Sequence, residues 1–408
     1  MGSHISPFAI IVGGGPSGLL LALLLGRRGI SVQLLEAAAK LDDRPRATHY
    51  SAPAVAELGR AGLIQDLRAQ GGFTPNGVCW RKLNGEIIAG LPGADPDEPN
   101  AMICLPLNQV NEVMLKHLPQ YPSVSIHYDH KVIGVDQSDT VAWVTVETPE
   151  GIKTLEATYI IGCDGANSQI RRSLFGDREF PGFTWEEQLV ATNTYYPFEE
   201  FGYDRDSNFI IDSTNWYMAA RISNDGLYRI TYGELPGLTL EELKKRQASK
   251  FREMLPGHPE PDSYQIVNFS PYKVHQRLSK KMRVGRVLLA ADAAHLCNPF
   301  GGFGLMGGLV DVGGLFDCLA GIYDGVANDS ILDKYDKVRR AIYEHVVNPV
   351  SCDNLRRMFQ KDPTTALRDD GFLQMCKKAE TDPSILKAFA EGANALCYDF
   401  TQHYHAKR

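Results

Sequence analysis

The sequence lacks the long apolar runs of a membrane protein, and its first residues do not favour secretion. Its first apolar stretch, residues 19–25, falls well short of the roughly 20 residues that a membrane-spanning helix needs, so we expect no transmembrane segment. A glycine-rich turn precedes this stretch and Arg27 and Arg28 follow it, which is not the order of a signal peptide. We therefore expect a cytoplasmic protein.

Closely spaced cysteines are also lacking. The 8 cysteines are scattered along the chain, with no Cys-x-x-Cys pair. This spacing predicts neither a zinc site nor a disulfide framework, and we expect no bound metal. Reduced, buried thiols are the expectation, as is typical of proteins in a reducing compartment.

An excess of positive charge is lacking as well. The 42 lysines and arginines are outnumbered by 49 acidic residues, which gives a net charge of -7. This balance disfavours nucleic acid and anionic membranes as partners. The chain has 408 residues, of which 44% are hydrophobic, so it can bury more than one core. A small-molecule ligand is the better expectation.

What the sequence does contain is a set of three turns, each following a short apolar run. The first turn, residues 13–18, has the pattern Gly-x-Gly-x-x-Gly between a predicted strand (8–12) and a predicted helix, and a second strand (31–36) follows. In this context the glycines permit a tight turn, the helix N-terminus attracts a pyrophosphate, and a terminal carboxylate binds a ribose diol. The predicted contacts are Gly13, Gly15, Pro16, Ser17, Gly18 and Glu36.

The second and third turns each place an aspartate after an apolar strand. Asp164 lies in the segment 160–171, and Asp292 lies in the segment 285–295, which runs on into glycine-rich residues 299–308. An aspartate in this position can accept a hydrogen bond from a ribose or ribityl hydroxyl, while the glycines let backbone amides approach a flat ligand. For either aspartate alone, an ordinary helix N-cap is an equal alternative.

Between these turns the pattern changes several times. We predict a helix over residues 47–69, a meander of strands over 123–162 whose last strand is 154–162, and a strand over 284–290 followed by a helix over 305–323. Residues 180–275 carry aromatic side chains on alternating runs, which predicts a second sheet.

In this order, the three turns resemble those of the FAD-dependent aromatic hydroxylases, and most of all their phenol-hydroxylase-like branch. These are single-component flavoprotein monooxygenases with the para-hydroxybenzoate hydroxylase fold, and the similarity covers residues 8–345. It implies an α/β fold: a Rossmann-like FAD-binding domain with an inserted, mostly antiparallel β-sheet substrate domain and C-terminal helices. The predicted segments are the FAD-binding domain in three parts (5–72, 106–178 and 281–345), a substrate-domain excursion (73–105), the substrate-binding sheet (179–280) and the C-terminal helices (346–408).

The resemblance also implies which residues hold FAD. The first turn would bind the pyrophosphate, Glu36 the adenosine ribose and Asp292 the ribityl chain, while Pro299 would lie against the isoalloxazine ring. The further FAD contacts that it implies are Arg46, Gln109, Val132, Asp164, Gly304, Leu305 and Met306.

Two positions depart from the family pattern. Ala291 stands where the family usually has a glycine before the aspartate, and we expect its extra methyl group to be tolerated. Met306 stands where many members have asparagine or a similar polar residue, so only its backbone amide could serve the flavin. These departures bear on the reactive geometry and leave the cofactor unchanged.

The activity implied is that of a monooxygenase using NADPH or NADH and O2. Such an enzyme hydroxylates an aromatic or polycyclic substrate, phenolic or a secondary metabolite, through a flavin C4a-hydroperoxide that must be shielded from water. Arg229 is the first choice for a cation near the substrate oxygen, Tyr217 is a weaker choice for orienting or deprotonating a phenol, and Pro299 would lie at the reacting ring. The predicted substrate contacts are Phe209, Trp216, Tyr217 and Arg229, although a plain sheet core is the better interpretation of each aromatic residue taken singly.

Two other classes of function stay open at this point. One is a related flavin oxygenation, such as epoxidation or Baeyer-Villiger insertion, and the other is a non-catalytic nucleotide-binding module. A flavin-dependent halogenase is disfavoured, because none of the 4 tryptophans forms the Trp-x-Trp pair that such enzymes carry. A homodimer is also left open.

Overall fold

The computed structural model describes residues 6–42 and 47–405. The first half of the chain forms the elements β1 (Ala9–Val12), α1 (Pro16–Arg27), β2 (Val32–Leu35), β3 (His49–Tyr50), α2 (Ala52–Arg60), α3 (Ile64–Ala69), β4 (Gly77–Lys82), β5 (Ile87–Pro92), β6 (Ile103–Cys104), α4 (Leu107–His117), β7 (Val124–His127), β8 (Lys131–Gln137), β9 (Ala142–Thr148), β10 (Gly151–Ala157), β11 (Tyr159–Gly162) and α5 (Gln169–Phe175).

The second half continues with β12 (Gly182–Tyr195), β13 (Ser207–Ile211), β14 (Tyr217–Arg221), β15 (Leu227–Glu234), α6 (Leu240–Met254), β16 (Gln265–Leu278), β17 (Arg283–Val284), β18 (Val287–Leu289), β19 (His295–Leu296), α7 (Phe303–Tyr323), α8 (Ile331–Ile342), α9 (Asn348–Gln360), α10 (Ala366–Asp369), α11 (Gly371–Ala379) and α12 (Pro383–Ala393).

The three predicted turns meet at one edge of a six-stranded sheet. Its strand order is β17-β18-β11-β1-β2-β7, and the pairs from β18 to β7 are all parallel. The strands β1, β11 and β18 are buried along their whole length, as is typical of a parallel sheet covered on both faces. Because parallel strands end at the same edge, the residues that follow β18, β11, β1 and β2 lie side by side.

Four sequence predictions of local structure need correction. The predicted meander divides between two sheets: β7 and β11 join the parallel sheet, and β8, β9 and β10 form a separate antiparallel sheet. The predicted strand 154–162 is two strands, because polar, exposed β10 suits a sheet edge and apolar β11 suits a buried sheet. The predicted helix 47–69 is the strand β3 and the helices α2 and α3, with a break at Gly62, whose φ is +78°. The predicted strand 284–290 is likewise divided into β17 and β18 by Gly285, at φ +57°.

An eight-stranded sheet forms the second layer, in the order β19-β16-β12-β15-β14-β13-β4-β5. The strands β4 and β5, from the predicted excursion, join it through a parallel pairing of β4 with β13. One face of the sheet packs on α6 through tyrosines and Phe251. The other face packs on Phe300 and on Leu355 and Met358 of α9. The sheet therefore lies between a surface helix and the third predicted turn.

The C-terminal helices cover the outer strands of this sheet. The helices α8 and α9 are joined without a break by a π-helical segment, Tyr343–Val347, so the boundary predicted between residues 345 and 346 lies inside one helical run. Further along, Leu373 and Cys376 of α11 pack against Trp80 and Ala89.

Helix α7 is long and apolar enough to cross a membrane by length and composition. However, 78% of its most apolar window is buried inside the protein, which makes it a core helix. It packs beside α1 at a close approach. A Cβ at Gly308 would lie 2.7 Å from the Cβ of Ala291 and 3.1 Å from the Oγ of Ser17. A glycine at this position therefore lets the first and third turns approach each other.

We expect Gly308→Ala to lower the free energy of unfolding by about 1–3 kcal/mol, because the added methyl group overpacks this contact. Gly307→Ala is the matched control on the same helix. Its Cβ would lie 3.5 Å from the Cε1 of His295, an ordinary contact, so we expect an unchanged free energy of unfolding or a gain of up to about 1 kcal/mol. Urea-induced unfolding of both variants measures the difference. Equal stability of the two variants would contradict the close approach.

Candidate active site

The first turn is shaped by two glycines that admit no side chain. Gly13 has φ +106°, and a Cβ there would clash with the carbonyl oxygen of Cys163, while a Cβ at Gly18 would clash with the carbonyl oxygen of Gly13. Gly15 precedes α1 and has nothing within 4 Å of its Cβ position. No side chain caps the first turn of α1 among the described residues. The amides of this helix start therefore face an open space that suits a pyrophosphate.

Glu36 is fixed at the end of β2 beside this turn. Its Oε2 accepts a hydrogen bond from the amide of Gly14 at 2.7 Å, and its Oε1 accepts one from the amide of Ala38 at 2.8 Å. The amide of His130 in turn donates to the backbone carbonyl of Glu36. The predicted contact Val132 follows shortly after, buried in β8.

A cavity of about 340 Å³ lies against Glu36 and the first turn. Its far wall is the start of α4, where Asn108 and Asn111 each bury an Oδ1 that has no hydrogen-bond partner within the described ranges. A nucleotide bound in this cavity could donate hydrogen bonds to these two buried oxygens. The predicted contact Gln109 lies in the same turn of α4, but the wall is formed by its neighbours. The sequence analysis missed both asparagines, although their places beside Gln109 were a usable signal.

The second turn has a dual role. The Oδ2 of Asp164 accepts the amides of Gln169 and Ile170, at 2.7 and 3.1 Å, so this aspartate assists the N-cap residue Ser168 in capping α5. Its Oδ1 is buried and has no partner in the part of the chain that the structure describes. Burial raises the pKa of Asp164. The cap interpretation and the cofactor interpretation therefore use different oxygens of one carboxyl group.

Arg171 joins the second turn to the third. Its Nη1 donates to the carbonyl oxygen of Ala293 at 3.0 Å and its Nη2 to that of Ala166 at 2.8 Å. The guanidinium also lies 3.7 Å from the ring centroid of Phe180. Two turns that are far apart in the sequence are thus held by one buried arginine.

The third turn is held in a left-handed conformation by a buried carboxylate. Ala291 has φ +54°, which costs a non-glycine residue roughly 1 kcal/mol, and its amide donates to the Oδ2 of Asp311 at 3.0 Å. The same Oδ2 lies 2.7 Å from the Nε2 of His295, and the Oδ1 accepts the Nε of Arg339 at 2.6 Å. Burial would raise the pKa of Asp311, but its interactions with His295 and Arg339 lower it to about 2. An ionised Asp311 therefore positions the exposed Asp292 at the sheet edge.

The glycine-rich residues after Asp292 lie close to the first turn. Gln276 holds their start, because its Oε1 accepts the amide of Asn298 at 2.6 Å beside exposed Pro299. Met306 is buried, and its Sδ accepts a hydrogen bond from the Oγ of Ser51. The predicted ring contacts Pro299, Gly304, Leu305 and Met306 thus lie on one loop and the start of α7.

The predicted substrate residues divide between the two faces of the eight-stranded sheet. Arg229 donates through Nε and Nη2 to the Oδ1 of Asn193, at 3.1 and 3.0 Å. Pairing of Arg229 with Ala220 places it on the face that carries Trp216, and the rings of Phe209 and Trp216 lie 6.3 and 5.8 Å from that of Phe300. Sequence analysis missed Asn193, since nothing local marks it.

Tyr217 requires a correction. Tyr217 is the first residue of β14, directly after Trp216, and it packs among the tyrosines that face α6, on the opposite face from Arg229. Its hydroxyl group is buried, and burial raises its pKa. The structure therefore separates Tyr217 from Arg229. The predicted contact Arg46 lies outside the described residues.

The arrangement fits FAD. The cavity beside Glu36 and the open start of α1 suit the adenosine and pyrophosphate, the free Oδ1 of Asp164 and the carboxylate of Asp292 lie at the same sheet edge, and the residues from Pro299 to Met306 follow next to them. These are the residues that would hold FAD, in the order that the resemblance implies.

Comparison with known proteins agrees with this geometry. A family model described as an FAD binding domain matches residues 8–350. The chain is 40% identical over 386 residues to para-nitrophenol 4-monooxygenase of Pseudomonas sp. (strain WBC-3), covering 93% of both chains. It is 36% identical over 367 residues to 6-hydroxy-3-succinoylpyridine 3-monooxygenase of Pseudomonas putida (strain DSM 28022 / S16), covering 88% of this chain and 91% of the relative.

A solved structure shows the same fold. The crystal structure of p-nitrophenol 4-monooxygenase from Pseudomonas putida DLL-E4 superposes with a TM-score of 0.89 at 36% identity, covering 96% of this chain and 98% of that one. The predicted α/β fold and the predicted FAD cofactor are confirmed. By its matched length, its fold and the three turns that converge on one nucleotide site, the chain belongs to the family of FAD-dependent aromatic monooxygenases.

Proposed function

We propose that the substrate of this monooxygenase is a monocyclic phenol or hydroxypyridine whose ring oxygen lies beside Arg229. The two curated relatives are named for a nitrophenol and a hydroxypyridine, each a single aromatic ring with an oxygen substituent. A guanidinium near that oxygen stabilises its anionic form, and the anion enriches the ring in electrons. The observation that carries the proposal is the place of Arg229, on the sheet face toward Phe300 and the loop of Pro299.

The chemistry divides between the cofactor and the chain. Bound FAD, reduced by NADPH or NADH, supplies the activated oxygen from O2. Asn193 orients Arg229 by accepting two of its hydrogen bonds. Phe300, buried against Trp216, excludes water from the side of the sheet next to the ring. The chain thus binds and orients the substrate, excludes water from it, and stabilises the charge on its oxygen.

The aromatic residues of the sheet argue for a small substrate. Phe209 stacks on Trp80 with their ring centroids 5.7 Å apart, and Trp216 lies 5.5 Å from Phe359 on α9. These rings fill the space between the sheet and the C-terminal helices by packing on one another. We therefore favour a single-ring substrate over the polycyclic, secondary-metabolite substrate that the sequence left open. NADPH or NADH as reductant, a cytoplasmic location and a homodimer stay predictions.

A substrate panel tests the proposal. We expect para-nitrophenol and a monocyclic hydroxypyridine to stimulate NAD(P)H oxidation by the FAD-loaded protein and to yield a product with one oxygen atom incorporated from O2. A tetracyclic phenol should leave the basal oxidation rate unchanged, because the aromatic rings on this sheet face already pack on one another and on α9. Rates and product masses measure the outcome. Turnover of the tetracyclic phenol in preference to both single rings would overturn the proposal.

The variant Arg229→Ala tests the residue on which the proposed function depends. We expect normal FAD content and a loss of roughly 10²-fold in kcat/KM for para-nitrophenol, because the variant loses the charge that stabilises the substrate anion. Arg252→Ala is the matched control, since this arginine lies on α6 and pairs with Glu260 at the surface. Its kcat/KM should equal that of the wild type. Unchanged product formation by Arg229→Ala would remove Arg229 from the site.

A further inference from the structure

The sheet face that carries Arg229 continues onto the edge strand β16. Asn193 of β12 pairs with Arg229 on one side and with Asn268 of β16 on the other. Directly paired residues lie on the same face of a sheet, so these three side chains form one row. Ala191, two residues earlier on β12, pairs with Ser270 of β16. Asn268 and Ser270 therefore lie on the face that carries Arg229.

Tyr272 of β16 shows that this face borders an internal space. It pairs with Leu189, and it packs in the cluster that contains Trp216 and Phe300. Burial raises the pKa of Tyr272 and the charge of Arg229 lowers it, so the phenol lies deep in the protein and within electrostatic reach of Arg229. The residue is nevertheless only half-buried. A side chain that is deep and still accessible lines an internal space.

Small side chains form the floor of this space. Between the row of Arg229 and the row of Tyr272 lies the row of Thr231, Ala191 and Ser270. Neighbouring rows on one face are about 7 Å apart, because only every second residue of a strand points to that face. A row of small side chains between two rows of larger ones leaves a hollow. The outer end of this hollow, on the opposite side from Arg229, is Ser270.

The polar groups at this outer end keep donors available for a ligand. The Nδ2 of Asn268 donates to the Oγ of Ser270 at 3.1 Å, and the same Oγ lies 3.4 Å from the Oδ1 of Asn268. Neither side chain bonds to a third residue within the ranges 6–42 and 47–405. The shorter bond uses one Nδ2 proton and a lone pair of the Oγ, so the second Nδ2 proton and the hydroxyl proton of Ser270 can be donated elsewhere.

The part of β16 that faces this space carries no charge. Its side chains here are those of Asn268, Ser270, Tyr272 and Val274, whereas Lys273 is exposed. Neutral donors suit an uncharged acceptor, such as the oxygen of a nitro or carbonyl group. A carboxylate in this place would lose water without gaining a positive partner, which costs free energy.

We propose that Asn268 and Ser270 form the subsite for an uncharged polar substituent on the ring carbon opposite the substrate hydroxyl group. The proposal rests on the proposed function, in which Arg229 holds that hydroxyl oxygen. Strands in a sheet are about 4.8 Å apart, so β16 lies about 10 Å from the strand of Arg229. The guanidinium covers part of this distance, because it reaches over β12 to Asn193. A single ring with a polar group at each end fits the rest, and β16 selects among phenols by the group opposite the oxygen.

Binding of two probes to the oxidised, FAD-loaded protein tests the subsite. The probe para-nitrophenol carries an acceptor opposite its hydroxyl group, and para-cresol carries a methyl group there. Isothermal titration calorimetry, at a pH where both free probes are neutral, measures both Kd values. We expect Ser270→Ala to raise the Kd of para-nitrophenol roughly 5- to 10-fold, because one hydrogen bond is lost, and to leave that of para-cresol unchanged. Asn268→Leu, which keeps the side-chain volume and removes the donor, should act in the same way.

A matched control and a third variant separate the possible results. Ser249→Ala should change neither Kd, since Ser249 lies exposed on α6 and donates to the carbonyl oxygen of Arg246. Equal changes for both probes, or no change for either, in Ser270→Ala and Asn268→Leu would overturn the subsite. Arg229→Ala should weaken the binding of both probes, because both carry the hydroxyl group. If Arg229→Ala binds both probes as tightly as the wild type, or if the wild type binds neither, the proposed function fails instead.

Discussion

The nucleotide site depends on the hydrogen bonds that the buried carboxylate of Asp311 accepts. This carboxylate holds the amide of Ala291, the ring of His295 and the guanidinium of Arg339, so it joins helices α7 and α8 to the third turn. An ion cluster without exposure to water is costly unless each charge is paired. Here the pairing is complete enough to keep the pKa of Asp311 at about 2. The cluster thereby keeps Ala291 in a conformation that an alanine disfavours.

The positions of the three turns could be predicted from sequence because they obey a local rule. Apolar runs ending in glycine or aspartate indicate buried parallel strands, and parallel strands place their ends at one edge. The partners of those turns could not be found in this way. Asp311 and Arg171 act across 20 and 122 residues of chain, on Ala291 and Ala293 respectively. Only the folded chain shows which charges meet in its interior.

The predicted substrate residues were harder to place, because neighbouring residues on a strand lie on opposite faces of the sheet. Trp216 and Tyr217 are adjacent in sequence, yet one faces Phe300 and the other faces α6. Both faces of this sheet are buried, so no alternation of polar and apolar residues marks the functional one. The signals for cofactor binding are thus local, and those for substrate binding are not.

This difference follows from what each part of the site must recognise. The nucleotide is held mainly by backbone amides and strand ends, which any sequence with the right glycines supplies, and Ala291 shows that even a glycine can be replaced when a buried carboxylate holds the turn. The proposed substrate contact Arg229 instead acts through its side chain, on β15 of the second sheet. Such groups can change one at a time while the sheet edge stays intact. The cofactor site is therefore easier to predict from the sequence than the substrate site, because its signals are local glycines and strand ends.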